Sequence, residues 1–421
     1  MKRRYLSVIS AILTLVTVLS CFMGCSIDTN GDATGESSDI ATELSDIITE
    51  KATEKSTKKT TKKTTKKETD PIPGKSTTNV NLVASEIDLS KKSKSFRLVG
   101  RTKYVEDGIG FDHCASVVEF QGYMTGDLTI SAWSSGDTYL TVYIDGERIT
   151  PTSMGSGRDK FKINGEKTIT LTTFTGKYFH TVRIVKQGET SQCYATLKKL
   201  SITGYLLDAP EEREHYIEFF GDSLTVGYSN IANGGESSQG AAKLQDTTQA
   251  YAYLAAEMLN ADCSILARSG TGLARGYTND YNNNIWKYFS KDSYRRHDVA
   301  FDFSTARVPD LIVIHLGAND YANDASKDKF VSKGKELVDT LKKGYGKAIP
   351  LIWAYDPGEQ VNTSWMKEIV DYYKNTYGGQ TYMISLEWRS KGKVNGHPNV
   401  AGHQKNANEI VNLIKTNNIL K

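Results

Sequence analysis

The stretch that decides the fold is Tyr216-Ile217-Glu218-Phe219-Phe220-Gly221-Asp222-Ser223-Leu224-Thr225. Its short, mostly apolar first half predicts a buried strand, Tyr216–Phe220, that turns directly into a helix. A serine at such a turn has its hydroxyl at the carboxyl edge of the strand and its backbone N–H at the positive end of the helix. By themselves, however, Asp222 and Ser223 are more typical of helix-capping residues.

Strand and helix patterns alternate from this stretch to the C-terminus. Apolar strands separated by helices predict a parallel α/β sheet covered on both faces, with its site beyond the carboxyl ends of the strands. The further predicted strands are Cys263–Ala267, Asp310–Leu316, Pro350–Ala354 and Thr381–Leu386. The predicted helices are Gln249–Leu259, Asp328–Lys343, Trp365–Tyr377 and Ala401–Thr416.

Three further motifs lie in loops at this predicted edge. Gly270 follows the second strand, and a glycine there lets backbone N–H groups approach a ligand closely. Asn319, after the third strand, can aim a side-chain N–H at a developing oxyanion, although Gly-x-Asn-Asp is also ordinary turn composition. His397, fixed by the following Pro398, suits a general base, whereas His403 is predicted to be a structural histidine.

The order Ser, Gly, Asn, His resembles the SGNH (GDSL-type) hydrolase family from about Tyr216 to the C-terminus. Gly221-Asp222-Ser223-Leu224 is similar to its nucleophile block, and Gly317-Ala318-Asn319-Asp320 to its third block. The resemblance implies a flavodoxin-like parallel sheet, with Ser223 as nucleophile and His397 as general base. It also implies an oxyanion hole formed by the N–H groups of Ser223 and Gly270 and the side chain of Asn319.

The region before His397 departs from the family pattern. Many members have an aspartate two or three residues before the histidine, and here those positions are Asn395 and Val394. Neither side chain ionises at neutral pH. We therefore expect a Ser–His dyad in which Asn395 or a backbone carbonyl orients the imidazole, with a weakened or inactive enzyme as the alternative.

Residues 79–209 have a different pattern. Short alternating segments separated by turn signals such as Asp145-Gly146 predict an antiparallel β-sandwich without a long helix. The predicted strands are Ser116–Phe120, Asp127–Trp133, Tyr139–Ile144, Thr168–Leu171 and His180–Val185. A sandwich of this jelly-roll-like, carbohydrate-binding-like kind before residues 210–421 resembles the family 2 carbohydrate esterases. Gly100-Arg101-Thr102 and Gly110-Phe111-Asp112 are similar to the β domain of that family.

Four residues near the predicted edge are candidates for substrate binding. Sugar rings pack their apolar faces on aromatic planes, which favours Trp353, Tyr355 and Tyr321. Asp222 is the fourth candidate. Core packing is an equally good interpretation of Trp353 and a better one of Trp388.

The N-terminus has the pattern of an export signal. A basic start and an apolar run, Tyr5–Leu19, precede Phe22-Met23-Gly24-Cys25, which resembles a bacterial lipobox. Residues 1–25 are therefore predicted to be a lipoprotein signal peptide, with Cys25 as the lipidated residue and Cys21 as the less suitable alternative. A permanent membrane-anchoring helix is the competing interpretation.

Residues 26–78 are poor in aromatic side chains and rich in Thr and Lys. They are predicted to form a disordered linker, because such a segment buries too little apolar surface to offset its ordering entropy. We interpret the linker as a spacer, and attraction of its lysines to an anionic wall as the alternative.

Composition excludes several classes of protein. The net charge of +3 over 421 residues argues against a nucleic-acid binder, and Lys2, Arg3 and Arg4 of the signal account for all of it. No metal-binding motif is present, and we expect neither metal nor cofactor. Cys114, Cys193 and Cys263 are an odd number of remaining cysteines, and buried thiols fit them better than a disulfide framework.

The predicted function is that of a carbohydrate acetylesterase acting on acetylated polysaccharide. We expect it to be a monomer, lipid-anchored at the outer face of a bacterial membrane or released after processing. The alternatives are a GDSL-type lipid or thioester esterase, since a fold does not fix a substrate, and a non-catalytic glycan-binding lipoprotein.

Overall fold

The structure, a computed structural model, describes residues 81–421 except for 234–240, 278–283, 288, 292–298, 357–362, 387–392 and 395. The predicted signal peptide, Cys25 and the predicted linker 26–78 lie outside the described residues, as do Asn395 and Trp388. Of the helices in the described part, none combines the length and apolarity that crossing a bilayer requires.

The N-terminal part is an antiparallel sheet around its own apolar core. Its elements are β1 (Ala84–Asp88), β2 (Arg97–Val99), β3 (Lys103–Val105), β4 (Gly108–Phe111), β5 (Val117–Ile144), β6 (Glu147–Arg148), α1 (Ser156–Asp159), β7 (Lys162–Lys186) and β8 (Ala195–Leu206). Pairing joins these eight strands into one sheet. Both Val118 and Val142 of β5 pair with Ile184 of β7, so β5 bends around the core and nearly closes a barrel.

The strand boundaries predicted in this part are wrong in one respect. Several segments predicted as separate strands are continuous in β5 and β7, which pair along most of their length with shifts of register. Gly126 and Gly165, with φ of 65° and 64°, lie at or next to two of these irregularities. A positive φ at glycine forms a bulge that bends a strand without ending it. The predicted turn Asp145-Gly146 does end β5.

The C-terminal part is a five-stranded parallel sheet in the order β10-β9-β11-β12-β13 with helices around it. Its strands are β9 (His215–Gly221), β10 (Ala261–Ala267), β11 (Leu311–His315), β12 (Leu351–Tyr355) and β13 (Thr381–Ser385), and a small hairpin of β14 (Lys393–Val394) and β15 (His397–Pro398) follows. Its helices are α2 (Ser223–Val226), α3 (Tyr251–Met258), α4 (Ala318–Ala322), α5 (Lys327–Tyr345), α6 (Thr363–Tyr377) and α7 (Val400–Thr416). The predicted fold class, a parallel α/β sheet preceded by an antiparallel β part, is confirmed.

The strand order places the site. β9 is the first strand of this sheet in sequence, but it lies between β10 and β11. The connection after β9 therefore runs toward one edge of the sheet, and the connection after β10 runs back toward the other edge. A crevice opens at the carboxyl ends of the strands where such an order reverses. The loops after β9, β10 and β11 therefore converge there.

The two parts belong to one compact unit and are joined by a polar seam. The seam consists of side chains of the antiparallel part that bond to residues of the α/β part, and most of these side chains are arginines. Its contacts are Arg97 Nη1 to Asp262 Oδ2 at 2.6 Å, Arg148 Nη2 to Asp246 Oδ2 at 2.6 Å, Arg183 Nη1 to Glu257 Oε1 at 3.0 Å and Arg158 Nη2 to the Gln245 carbonyl at 2.8 Å. Planar guanidinium groups suit such partly buried pairs because they donate in several directions at once.

Candidate active site

Ser223 begins α2 directly after β9. Asp222 is the N-cap, and its carboxylate accepts the backbone N–H of Leu224 at 2.9 Å. At Gly221 a Cβ atom would lie 2.0 Å from Thr225 Oγ1, so only glycine permits this tight turn. The turn leaves Ser223 partly exposed at the carboxyl edge of the sheet, where a substrate reaches its hydroxyl.

His397 lies on the other side of the crevice, within hydrogen-bond distance of Ser223. Its Nε2 is 2.9 Å from Ser223 Oγ. The β14–β15 hairpin positions its backbone through the pairing of Val394 with His397, and the Tyr228 ring packs against the imidazole with centroids 4.7 Å apart. A serine hydroxyl beside an imidazole is the arrangement that nucleophilic catalysis needs.

Asn319 joins the three loops of the crevice. Its Nδ2 donates to the Thr271 carbonyl at 2.9 Å and to Asp222 Oδ2 at 3.1 Å. These partners flank Gly270 and Ser223 in sequence. The structure thus brings together the loops of Ser223, Gly270, Asn319 and His397, the four residues that the sequence motifs singled out.

Asp320 fixes the loop that carries Gly270, and sequence reasoning assigned it no role. Its Oδ2 accepts the N–H of Leu273 at 2.7 Å, and its Oδ1 accepts those of Ala274 and Arg275 at 2.7 and 2.8 Å. The side chain is fully buried, and burial raises its pKa to about 6. The one available signal was its place in the Gly-Ala-Asn-Asp motif.

A buried hydrogen-bond network packs beneath α2, and no sequence motif pointed to it. Tyr251 Oη lies 2.9 Å from Thr225 Oγ1 and 3.1 Å from His315 Nδ1, and Asp356 Oδ2 lies 3.4 Å from the other ring nitrogen of His315. His403 Nδ1 accepts the Tyr251 backbone N–H at 3.3 Å. Burial lowers the pKa of His403 to about 3, so this ring is neutral at physiological pH, in agreement with its predicted structural role.

Two of the four predicted substrate-binding residues need correction. Trp353 has no exposed surface, and its Nε1 donates to the Leu316 carbonyl at 3.2 Å. Trp353 is the third residue of β12, a strand buried on both faces, and it packs in the core. Asp222 is also buried and caps α2. Tyr321 is 36% exposed on α4 and Tyr355 is partly buried, so both stay predictions.

Within the described residues, no group of three or more His, Cys, Asp or Glu side chains is placed to bind a metal ion. Cys114, Cys193 and Cys263 are buried free thiols. Burial raises the pKa of Cys114 and of Cys263 to about 12, which leaves these thiols unreactive at neutral pH.

The pKa of Asp320 gives a testable stability prediction. A native pKa of about 6 lies above the usual value of about 3.9 for an unfolded chain, so the native state binds this proton more tightly. That stabilisation is present at pH 4 and is lost as pH rises through 6. Relative to Asp320→Asn, the wild-type free energy of unfolding should therefore fall by about 2 kcal/mol between pH 4 and 7. Parallel urea denaturation series measure this difference, and a pH-independent difference would contradict it.

Comparison with known proteins shows which family and which solved structures this chain resembles. Residues 219–405 match the GDSL-like Lipase/Acylhydrolase family. A family two carbohydrate esterase from Clostridium thermocellum, solved in complex with cellohexaose, superposes with a TM-score of 0.67 at 25% identity over 77% of this chain and 100% of the other.

Two curated relatives have matching sequences. The cellulase/esterase CelE of Acetivibrio thermocellus is 27% identical over 317 residues, 71% of this chain. The chain spans only 36% of that protein's length. An acetylxylan esterase/glucomannan deacetylase of Cellvibrio japonicus is 24% identical over 343 residues, 78% of this chain and 91% of the relative.

Proposed function

We propose that the chain is a serine esterase that removes O-acetyl groups from polysaccharides or oligosaccharides, in keeping with the match of residues 219–405 to the GDSL-like lipase/acylhydrolase family. The observation that carries this proposal is the 2.9 Å distance between Ser223 Oγ and His397 Nε2 at the edge where the Gly270 and Asn319 loops meet. Named relatives support the substrate class, since they include an acetylxylan esterase/glucomannan deacetylase and a carbohydrate esterase bound to cellohexaose.

Acylation begins with attack by Ser223 Oγ on the acetyl carbonyl carbon. His397 Nε2 takes the hydroxyl proton as the new C–O bond forms, because a serine hydroxyl is a weak nucleophile without a base. The imidazolium then gives this proton to the departing sugar oxygen. The tetrahedral intermediate collapses to an acetyl-serine and a free sugar hydroxyl.

The oxyanion of that intermediate lies at the meeting point of three loops. We assign its stabilisation to the backbone N–H groups of Ser223 and Gly270 and to Asn319 Nδ2. Asn319 donates to Thr271 and Asp222, so one of these two bonds is exchanged for a bond to the oxyanion as its charge develops. Donors held in place before the reaction stabilise this charge without a large rearrangement.

Deacylation repeats these steps with water. His397 removes a proton from a water molecule, which attacks the acetyl-serine carbonyl, and Ser223 regains its proton as acetate leaves. We propose that a Ser–His dyad performs both halves, with Asn395 or a backbone carbonyl orienting the imidazole. Support for this assignment comes from the sequence at Val394 and Asn395, which offers no carboxylate there.

We further propose that the chain acts outside the cell, with a lipid on Cys25 and residues 26–78 as a spacer. The basic and apolar N-terminus and the lipobox-like Phe22-Met23-Gly24-Cys25 support this location. Acetylated polysaccharide is then the partner that the enzyme meets.

A substrate panel tests the proposed activity. We expect the purified protein to release acetate from acetylated xylan, glucomannan or cello-oligosaccharides, and to cleave p-nitrophenyl palmitate and palmitoyl-CoA far more slowly. Faster cleavage of the long-chain esters would identify a lipid or thioester esterase instead. Absence of acetate release from every glycan, together with retained glycan binding, would favour a binding protein.

A further inference from the structure

The first half of the loop between β7 and β8, Gln187–Thr190, lies inside the molecule rather than on its surface. Connections normally run over the surface because buried backbone needs hydrogen-bond partners. Here the consecutive residues Gln187–Thr190 are all buried, although most of them are polar. The antiparallel part therefore inserts a polar segment into the α/β part at a considerable desolvation cost.

Contacts from both parts satisfy this loop and fix its shape. The Gln187 carbonyl accepts the N–H of Thr247 at 3.1 Å, and its Oε1 accepts Arg158 Nε at 3.0 Å. The buried Lys186 ammonium donates to the Gly188 carbonyl at 2.5 Å. Buried polar groups that are fully bonded in this way specify one conformation.

Glu189, in the middle of this loop, reaches the proposed oxyanion loop. Its Oε2 accepts the backbone N–H of Ser269 at 2.5 Å, and Ser269 immediately precedes Gly270. Burial raises the pKa of Glu189, and the bond from Ser269 acts in the opposite direction. The same carboxyl interacts electrostatically with Tyr228, whose ring packs on His397.

Glu189 and Asp320 hold the oxyanion loop from its two ends. Glu189 bonds the N–H of Ser269, before Gly270, and Asp320 bonds those of Leu273, Ala274 and Arg275, after it. Gly270 itself has a φ of 74°, a conformation that the fixed ends help to maintain.

We propose that Glu189 is a positioning residue. Through its bond to the Ser269 N–H, the antiparallel part orients the Gly270 N–H toward the oxyanion. This inference rests on the proposed esterase function. It makes the antiparallel part a component of the catalytic site in addition to any role in glycan binding.

Two substitutions of Glu189 test this proposal. Glu189→Ala removes the acceptor and should lower kcat for acetate release by about 10- to 100-fold with KM changed less than about threefold, because an aiming error of about 1 Å costs that much. Glu189→Gln keeps an acceptor oxygen and should restore most of the lost rate. Glu166→Ala, which removes an exposed carboxylate paired with Lys198 in the same part, should match the wild type and is the control.

The outcomes separate this proposal from the proposed function. If the wild type hydrolyses no acetyl ester, the esterase proposal fails before Glu189 is tested. If the wild type is active and folded Glu189→Ala keeps its kcat within about threefold, Glu189 does not position the loop and the esterase proposal stands. If Glu189→Ala does not fold, Glu189→Asp decides, because it keeps the carboxylate but shortens its reach by one methylene: a kcat more than about threefold below that of Glu166→Ala, at equal Tm and KM, supports the proposal, and a kcat within about threefold overturns it.

Discussion

Replacement of Ser223 with alanine is expected to abolish acetate release, lowering kcat by roughly 10⁴- to 10⁶-fold. The substitution removes the Ser223 hydroxyl oxygen that lies 2.9 Å from His397 Nε2, so no acyl-enzyme forms. The side chain is partly exposed at the end of a tight turn, and its loss creates no core cavity. Acetate release and Tm, measured on the same preparation, separate lost chemistry from lost fold.

His397→Ala provides the matched comparison. Because nucleophile and base act as one unit, this variant should lose about as much activity as Ser223→Ala, and the double variant should lose little more. Glycan binding should survive in all three. Activity of Ser223→Ala within about tenfold of the wild type would show that another group performs the chemistry.

Replacement of Asn319 with alanine has the second-largest expected effect. Removal of one oxyanion donor typically costs on the order of 100–1000-fold in kcat, and KM should change little because the charge develops only in the transition state. Asn319 also links Thr271 to Asp222, so part of the loss will come from a less fixed crevice. Steady-state kinetics on an acetylated oligosaccharide measure both constants.

Asn408→Ala is the control for this substitution. Asn408 is an exposed amide on α7 whose Oδ1 accepts Gln404 Nε2 at 3.3 Å, and its loss should leave kcat unchanged. A raised KM with unchanged kcat in Asn319→Ala would mean that the amide binds substrate and transition state equally. That result would show that Asn319 is not an oxyanion donor, and the roles proposed for Ser223 and His397 would be unaffected.

Sequence alone predicted the α/β part well because its strand and helix patterns alternate and its first three strands are each followed by a motif with a recognisable chemical role. The motifs and the family resemblance singled out Ser223, Gly270, Asn319 and His397, and their loops meet because parallel strands bring their carboxyl ends to one edge. The strand bounds were off by a residue or two. For Trp353, core packing and sugar binding were equally good interpretations from sequence, and the structure shows core packing, because the residue lies inside β12 and has no exposed surface.

Features that depend on distant contacts were not predictable. Tyr251, His315 and Asp356 come from three separate elements and carry no local motif, yet they form one network beneath α2. Glu189 contacts Ser269, which lies 80 positions further along the sequence. Gly126 of β5 and Gly165 of β7 mark bulges rather than turns, because pairing between the two strands continues past them and favours an extended chain.

The arginine-rich seam has a consequence for how such proteins diverge. Each pair, such as Arg97 with Asp262 or Arg148 with Asp246, has one member in each part, so a change on one side requires a compensating change on the other. Recombination that exchanged either part alone would leave buried charges without their counterparts. The similarity to CelE extends over 317 residues, well beyond residues 219–405, and the esterase from Clostridium thermocellum aligns along its whole length. We therefore expect the two parts to be exchanged between larger proteins only together, as one cassette.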